Sequence, residues 1–508
     1  MYLEPTIPRK KKRRSSPARV AILLVLIAAS LYVYSLVKHE EAATPFVPTP
    51  TPTRPAASYI AEAEELYLRG ELTQTIAAYE QAIMLEPTNP QPYVPLARLL
   101  TLEGRFDEAI YRAGQAVNIS PQSAPAWAVL GMAYDWAGDF DQAIEACKHA
   151  VDLDPGYAEG YSYLAEAYAD AGRWMEANQA IETALRLNEH SVDVQRNYGY
   201  VLEVQGYYRD AQAAYQRALE IHPYLPHIHI ALGRIHRKLG DVDAALESFQ
   251  KAAEIDPNEA QAHFEQGWTY LIHLGNYELA ETHLKQAIAV NPRFGRAFGG
   301  LAITYWQRRN YEEAIPNFEQ AIYWECAAAR QGARGFFITA EEQAGGTTPS
   351  SSAMMRGKLG PLNGYDRSVL YATLRPEAWA GETWAGATGT VTLDTHTGVY
   401  TVTLSNLPRP AVGTSYTGWF DGLKALSGSP VSTGPLRMRP DGSVEATFET
   451  GWVRGPAIEY FYTLGLAYFY KDECKKAYPL FDAALQIDPN ETNALDGIRL
   501  CRQIEGGR

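Results

Sequence analysis

The stretch that decides the fold is Ala124–Pro155, APAWAVLGMAYDWAGDFDQAIEACKHAVDLDP. Trp127, Leu130, Gly131 and Tyr134 fall at i, i+3, i+4 and i+7, one face of a helix. Gly138 follows as a turn residue, a second helical face carries Ala143, Cys147 and Ala150, and Pro155 ends it. The same marks recur outward in both directions. Glycines stand at Gly70, Gly104, Gly138, Gly172, Gly206 and Gly240, each 34 residues after the last. Alanines keep the same interval at Ala82, Ala116, Ala150, Ala184, Ala218 and Ala252. A fixed period of this size means a solenoid, in which each helix pair buries its apolar face only against its neighbours.

Eight consecutive units are expected over 56–326, starting near Ala56, Pro90, Ala124, Ala158, Val192, Pro226, Ala260 and Gly295. The seventh is one residue longer, since Gly275 lies 35 after Gly240. The eighth has Arg309 where the glycine belongs and Cys326 where the proline belongs. A ninth unit is expected at 456–489, with a capping helix and tail over 490–508. Pro316 and Pro479 share a slot in the second helices of the last two units, where a proline removes a backbone donor and predicts a kink. At these residues the chain resembles the tetratricopeptide repeat family. The resemblance implies a mainly α, α–α solenoid, a superhelix whose concave groove is lined by the first helix of each pair.

The body is acidic. Net charge is −14; residues 1–38 hold eight Lys/Arg and one acid, a net of +7, leaving −21 for the rest. Such a body repels phosphate backbones, so no nucleic-acid partner is expected. Ahead of the repeats, 1–19 reads as a basic cytoplasmic tail and 20–37 as an uncharged apolar run of 18 residues, expected to be a transmembrane signal-anchor. A cleaved signal peptide is the rival reading. Residues 38–57 are rich in Pro and Thr and read as an extended spacer. The expected localisation is a single-pass membrane protein with a cytoplasmic N-terminus and an extracytoplasmic body.

The helical rhythm stops after Cys326. The segment 327–365, which contains AGGTTPSSS at 344–352, reads as a flexible linker, and 366–455 as an inserted β-domain. There Val391/Leu393 and Tyr400/Val402/Leu404 alternate with polar residues as half-buried strands do, and Pro440-Asp441-Gly442 reads as the turn of a hairpin. Leu407-Pro408, Gly413, Tyr416, Trp419, Thr433-Gly434 and Asp441-Gly442 make 387–450 similar to the extracytoplasmic β-domain of anti-sigma-K-type membrane proteins. That resemblance implies a β-sandwich outside the membrane. The anti-sigma activity does not carry over, because about 19 residues before the apolar run are too few for a sigma-binding domain.

No P-loop, GxSxG, HExxH or GxGxxG motif occurs, so no enzyme is expected and no cofactor. The acids read as solvated helix faces. His222, His227, His229 and His236 lie close together, but His229 and His236 occupy the slots of Trp127 and Tyr134 and read as packed imidazoles, so no metal is expected either. The four cysteines form no CxxC pair; Cys474 and Cys501 are candidates for a disulfide across the C-terminal cap. The resemblance puts Arg98, Met132 and Glu166 in the groove, together with the expected partner-binding residues Arg196, Tyr200, Arg234, Arg237, Lys238, Trp268 and Trp306. The basic members of that set suit an acidic or extended peptide. The expected function is therefore a membrane-anchored extracytoplasmic scaffold assembling proteins at a cell envelope. The alternative is an enzyme or ligand-binding protein with its site in the β insert.

Overall fold

The computed structural model describes residues 17–38, 54–331, 335–341, 355–363, 366–376, 386–395, 398–408, 410, 415–424, 430–439, 441–449 and 456–506. Most of the basic tail, most of the Pro/Thr spacer and the 344–352 stretch lie outside them. The chain divides into two compact units, Met1–Pro55 and Ala56–Arg508.

The first unit contributes one helix, α1 (Pro17–Lys38). Among the described residues no helix is long and apolar enough to cross a membrane, which corrects the transmembrane helix expected at 20–37.

The second unit is built from antiparallel helix pairs. They are α2 (Ala56–Leu68) with α3 (Leu72–Leu85), α4 (Tyr93–Leu102) with α5 (Phe106–Ile119), and α6 (Ala124–Trp136) with α7 (Phe140–Leu153). Next come α8 (Ala158–Asp170) with α9 (Trp174–Leu187), α10 (Val192–Val204) with α11 (Tyr208–Ile221), and α12 (Pro226–Lys238) with α13 (Val242–Ile255). The array continues with α14 (Ala260–Ile272) and α15 (Tyr277–Val290), then α16 (Gly295–Gln307) and α17 (Tyr311–Gln331). After the β module follow α18 (Ile458–Tyr470), α19 (Cys474–Ile487) and the cap α20 (Thr492–Gly506).

Each pair turns on a left-handed residue. Gly138 has φ 82°, and at the two turns without glycine Arg309 (φ 57°) and Asp472 (φ 63°) take the same conformation. An L side chain there costs about 1–2 kcal/mol, so packing of the pair dictates the turn whether or not glycine is present. The small positions are interlocks: a Cβ on Gly233 would stand 2.5 Å from the Phe249 ring, and one on Gly465 would stand 2.6 Å from Phe481. Pro316 and Pro479 each sit inside a helix that continues through them.

The first superhelical turn closes on itself. Tyr67 at the end of α2 packs its ring 4.7 Å from His222, after α11. The αL glycine of the first unit, Gly70, lies so close to Tyr224 that a Cβ would meet its carbonyl oxygen at 2.9 Å. Arg98 of α4 reaches Asp193 of α10, 95 residues along the chain, with contacts of 2.8 and 2.5 Å. The first helices of the early units therefore enclose a lumen.

The β module carries β1 (Gly335–Glu341), β2 (Met355–Lys358), β3 (Gly360–Asn363), β4 (Asp366–Pro376) and β5 (Thr388–Asp394). It is completed by β6 (Val399–Ser405), β7 (Ser415–Lys424), β8 (Pro430–Pro435) and β9 (Val444–Glu449). Instead of the separate sheets of a sandwich, the strands join in one antiparallel sheet ordered β8-β7-β1-β2-β4-β5-β6-β9, with β3 on β4. The 11-residue β4 pairs with β2 near its C-terminal end and with β5 along its middle, linking the two halves. Those halves face each other, as Tyr400 of β6 meets Phe420 of β7 edge-on at 4.9 Å.

Two boundaries move accordingly. Strands β1 to β3 lie within 327–365, the expected linker, because β1 is made a strand by its seven-residue register with β7. The Asp441-Gly442 turn forms, with Gly442 at φ 80°, but it closes no hairpin. Strand β8 pairs with β7 and β9 with β6, so the turn carries the chain from one half to the other.

Candidate functional site

The lumen holds a layered set of charges on the first helices. Two kinds of slot that repeat with the period of the chain build it, together with a set of acids that does not. The first is structural. Trp127 Nε1 donates to the Pro121 carbonyl at 2.8 Å, Tyr93 Oη to that of Pro87 at 2.7 Å, and His229 Nε2 lies 2.9 Å from that of Pro223. Each side chain reaches six residues back and ties its helix to the preceding turn. His229 therefore plays the part of an aromatic, and burial lowers its proton affinity.

The second slot is Arg98, Met132, Glu166, Tyr200, Arg234 and Trp268, spaced by 34. Its charged members pair with other first helices: Glu166 and Arg234 with the adjacent one, Arg98 with α10. The Arg196 guanidinium bonds Glu166 and lies 4.8 Å over the Trp136 ring, while Trp136 Nε1 donates to Glu166 at 3.1 Å. Arg234 donates to Glu265 at 2.7 Å, and Arg237 holds the other oxygen of that carboxylate at 2.7 Å. Tyr163 Oη donates to Asp193 at 2.8 Å beside Arg98. Burial works to raise Asp193 and Glu265, but their arginines overcome it and hold both below the usual carboxylate range. These are closed, paired clusters.

The third set is not closed. A cavity of about 650 Å³ opens among the helix ends, lined on its acidic side by Glu103, Asp135, Glu166, Asp170, Glu203 and Glu259. Among these six, and within the described residues, only Glu166 is in an ion pair. Asp135, in the last turn of α6, is 3% exposed, and neither of its oxygens meets a donor. Burial, with Glu166 and Asp170 nearby, pushes it up to about 9. Glu259 is raised by burial to about 7, and burial also raises Glu103, Asp170 and Glu203. Asp170 accepts from Tyr200 Oη and Glu203 accepts from Tyr215 Oη at 2.7 Å, so these carboxylates have hydrogen bonds but no cation.

The expected partner-binding residues separate on this map. Arg196, Tyr200 and Arg234 line the cavity. Arg237 is engaged with Glu265 and Thr269, and Lys238 is exposed at the end of α12. Trp268 stacks on Phe264 at 5.9 Å, and Trp306 packs against Tyr311 at 5.2 Å, both away from the cavity. The arginines are thus not a free basic patch: Glu166 holds Arg196, and Glu265 is shared by Arg234 and Arg237, each glutamate with a side chain no more than 3% exposed. The reading of the acids as solvated faces is overturned at Asp135, Glu166 and Glu265, all buried. Their signal in the sequence is weak, because the slots that hold them vary freely in character: the slot of Glu166 holds Met132, Tyr200 and Arg234 elsewhere. At the other end of the array Cys474 and Cys501 are joined in a disulfide that ties α19 to the cap, 27 residues apart in sequence.

A closed helical-pair solenoid with a polar lumen defines the class, a helical repeat protein of a kind suited to protein–protein interaction. Residues 35–267 match the model of the cilia and flagella-associated protein 70 C-terminal domain, a tetratricopeptide-type domain by its designation, and 269–333 match a tetratricopeptide repeat model. The chain is a tetratricopeptide-repeat protein. No curated protein matches it. Among solved structures it is similar to the Cut9–Hcn1 hetero-tetramer of APC/C at 19% identity, covering 52% of each chain with a TM-score of 0.44. The match therefore spans about half the length of that relative. It is also similar to a human IFIT1 dimer with PPP-AAAA at 17% identity (53% of this chain, 72% of that one, TM-score 0.40). A thermophilic repeat protein of Thermus thermophilus matches at 26% identity (36% of this chain, 100% of that one, TM-score 0.33).

Proposed function

We infer that the chain is a binding scaffold that holds an extended segment of a partner protein in its lumen and so assembles proteins into a complex. The observation that carries this is the 650 Å³ cavity, walled by the first helices of successive repeats and lined by side chains of both signs. Concave sites with a few convergent polar groups are where ligands gain most from pre-organisation. The body belongs in an oxidising, extracytoplasmic compartment, a reading supported by the Cys474–Cys501 disulfide.

Filling the cavity tests the docking site. Ala231→Trp places an indole on the cavity wall formed by α12, and A231F is the smaller plug. Crosslinking followed by mass spectrometry is expected to show partner capture falling in both variants while the melting temperature holds. Unchanged capture in both would remove the lumen as the docking site. For the compartment, protein isolated with a thiol-blocking reagent is expected to show Cys474 and Cys501 unmodified; two blocked thiols would overturn that placement.

A further inference from the structure

Four first helices end at the cavity, and each brings a carboxyl to its C-terminus: Glu103 at the C-cap of α4, Asp135 in α6, Asp170 in α8 and Glu203 in α10. The C-terminal end of a helix carries partial negative charge and favours Lys, Arg or His, so these acids stand where acids are least welcome. Glu259 joins them from the N-cap of α14. Burying a carboxylate without a counter-ion costs several kcal/mol. Arg196 and Arg234 cannot answer all of them, because Glu166 and Glu265 already hold those guanidinium groups. The Asp135 carboxyl, whose oxygens meet no donor and whose side-chain partner is the like-charged Asp170 carboxyl, faces into this surplus. Phe140 supplies aromatic surface in the same wall, where Trp136 and Tyr200 already seat the Arg196 guanidinium and show that the wall accepts a cation.

We propose that the cavity is a receptor for a cationic side chain, an arginine or lysine carried by the extended segment of the partner protein, with Asp135 and Asp170 as its carboxylate ligands. The proposal rests on the lumen being the docking site and adds the chemistry of what enters it. It reverses the charge expected of the partner, since the cavity wall carries six acids against Arg196 and Arg234, both already engaged by internal glutamates. Entry of the cation is coupled to a proton. The Asp135 carboxyl is faced by Glu166 and Asp170 from α8, Arg196 from α10 and the Cys147 thiol from α7. It stays protonated at neutral pH, and a bound guanidinium replaces that proton.

Calorimetric titration of the full chain with N-acetylated, C-amidated tetra-arginine tests this. Expected are saturable binding, release of about one proton per peptide, and affinity that rises with pH from 6 to 9. Asp135→Asn is expected to weaken binding at least about tenfold and to abolish the proton release, and Glu203→Gln to weaken it less. The exposed Glu182→Gln on α9 is expected to change nothing, which separates the cavity from the general attraction of an acidic body. No binding at millimolar peptide, or equal binding by D135N, E203Q and E182Q, would overturn the proposal. So would spermine binding in a D135N-sensitive way while tetra-arginine does not, since the occupant would then be a free polyamine. If A231W abolishes partner capture while tetra-arginine never binds, the scaffold reading survives and the cation reading falls. If tetra-arginine binds through Asp135 while A231W and A231F leave capture intact, the reverse holds.

Discussion

Two buried clusters in the same lumen treat their acids in opposite ways. Around Asp193 and Glu265 every carboxylate has an arginine within hydrogen-bond reach, and both groups are held below their ordinary range. Around Asp135 the carboxyls outnumber the available cations, and burial pushes them up, Asp135 to about 9. Both clusters sit on first helices with the same repeat geometry, so the difference is one of charge balance. A satisfied cluster fixes the winding of the superhelix. An unsatisfied one is held in place by the surrounding fold and stands ready for a ligand.

The contrast can be broken by mutation. Arg98→Ala leaves Asp193 buried without its partner and opens the contact between α4 and α10. A loss of about 3 kcal/mol or more is expected, read as a lowered denaturant midpoint. Glu265→Gln strips the carboxylate from Arg234 and Arg237 and is expected to cost roughly 1.5–3 kcal/mol at neutral pH. Because Glu265 titrates lower in the folded chain than unfolded, its stabilisation is complete above the ordinary carboxylate range and is lost as pH falls through the folded value. The cost of E265Q should therefore shrink in acid.

Asp135 must behave with the opposite sign. Its folded value is about 9 against 3.8 unfolded, so its stabilisation is complete in acid and is lost as pH rises towards 9. Asp135→Asn keeps the shape and removes the titration. It is expected to flatten the fall of stability by up to ~1.4 kcal/mol per pH unit between about pH 5 and 9, measured by melting across that range. An unchanged pH slope would mean the two clusters are not distinct. The smallest effect should come from Trp136→Phe, which removes one hydrogen bond to Glu166 but keeps a ring under Arg196. About 0.5–1 kcal/mol is expected.

The β module offers a milder lesson about what local pattern conveys. Val391, Leu393, Tyr400, Val402 and Leu404 alternate along the chain and all point into the core. Residues of β1 show no such alternation, and it is the pairing with β7 and β2 that makes them a strand. The Asp441-Gly442 turn was legible, yet the partners of the strands on either side were not, because a turn dictates local direction and not which edge each strand joins.

The sequence by itself determined the repeat: helix pairs of fixed length, their turns and their small-residue interlocks. All of these depend on neighbours within about one period, and a 34-residue spacing records them directly. The placement of Arg196, Tyr200 and Arg234 on the inner face came from the family resemblance. Only the tertiary structure decided what those residues do. Pairs such as Arg196 with Glu166 lie 30 residues apart, one period less one helical turn, and depend on how adjacent helices are offset. The Arg98–Asp193 contact spans 95 residues and exists only because the superhelix closes. Charge balance in a lumen is a sum over helices that meet in space, and for that reason the acids of Asp135 and Asp170 read as solvated until the turn that buries them was in place.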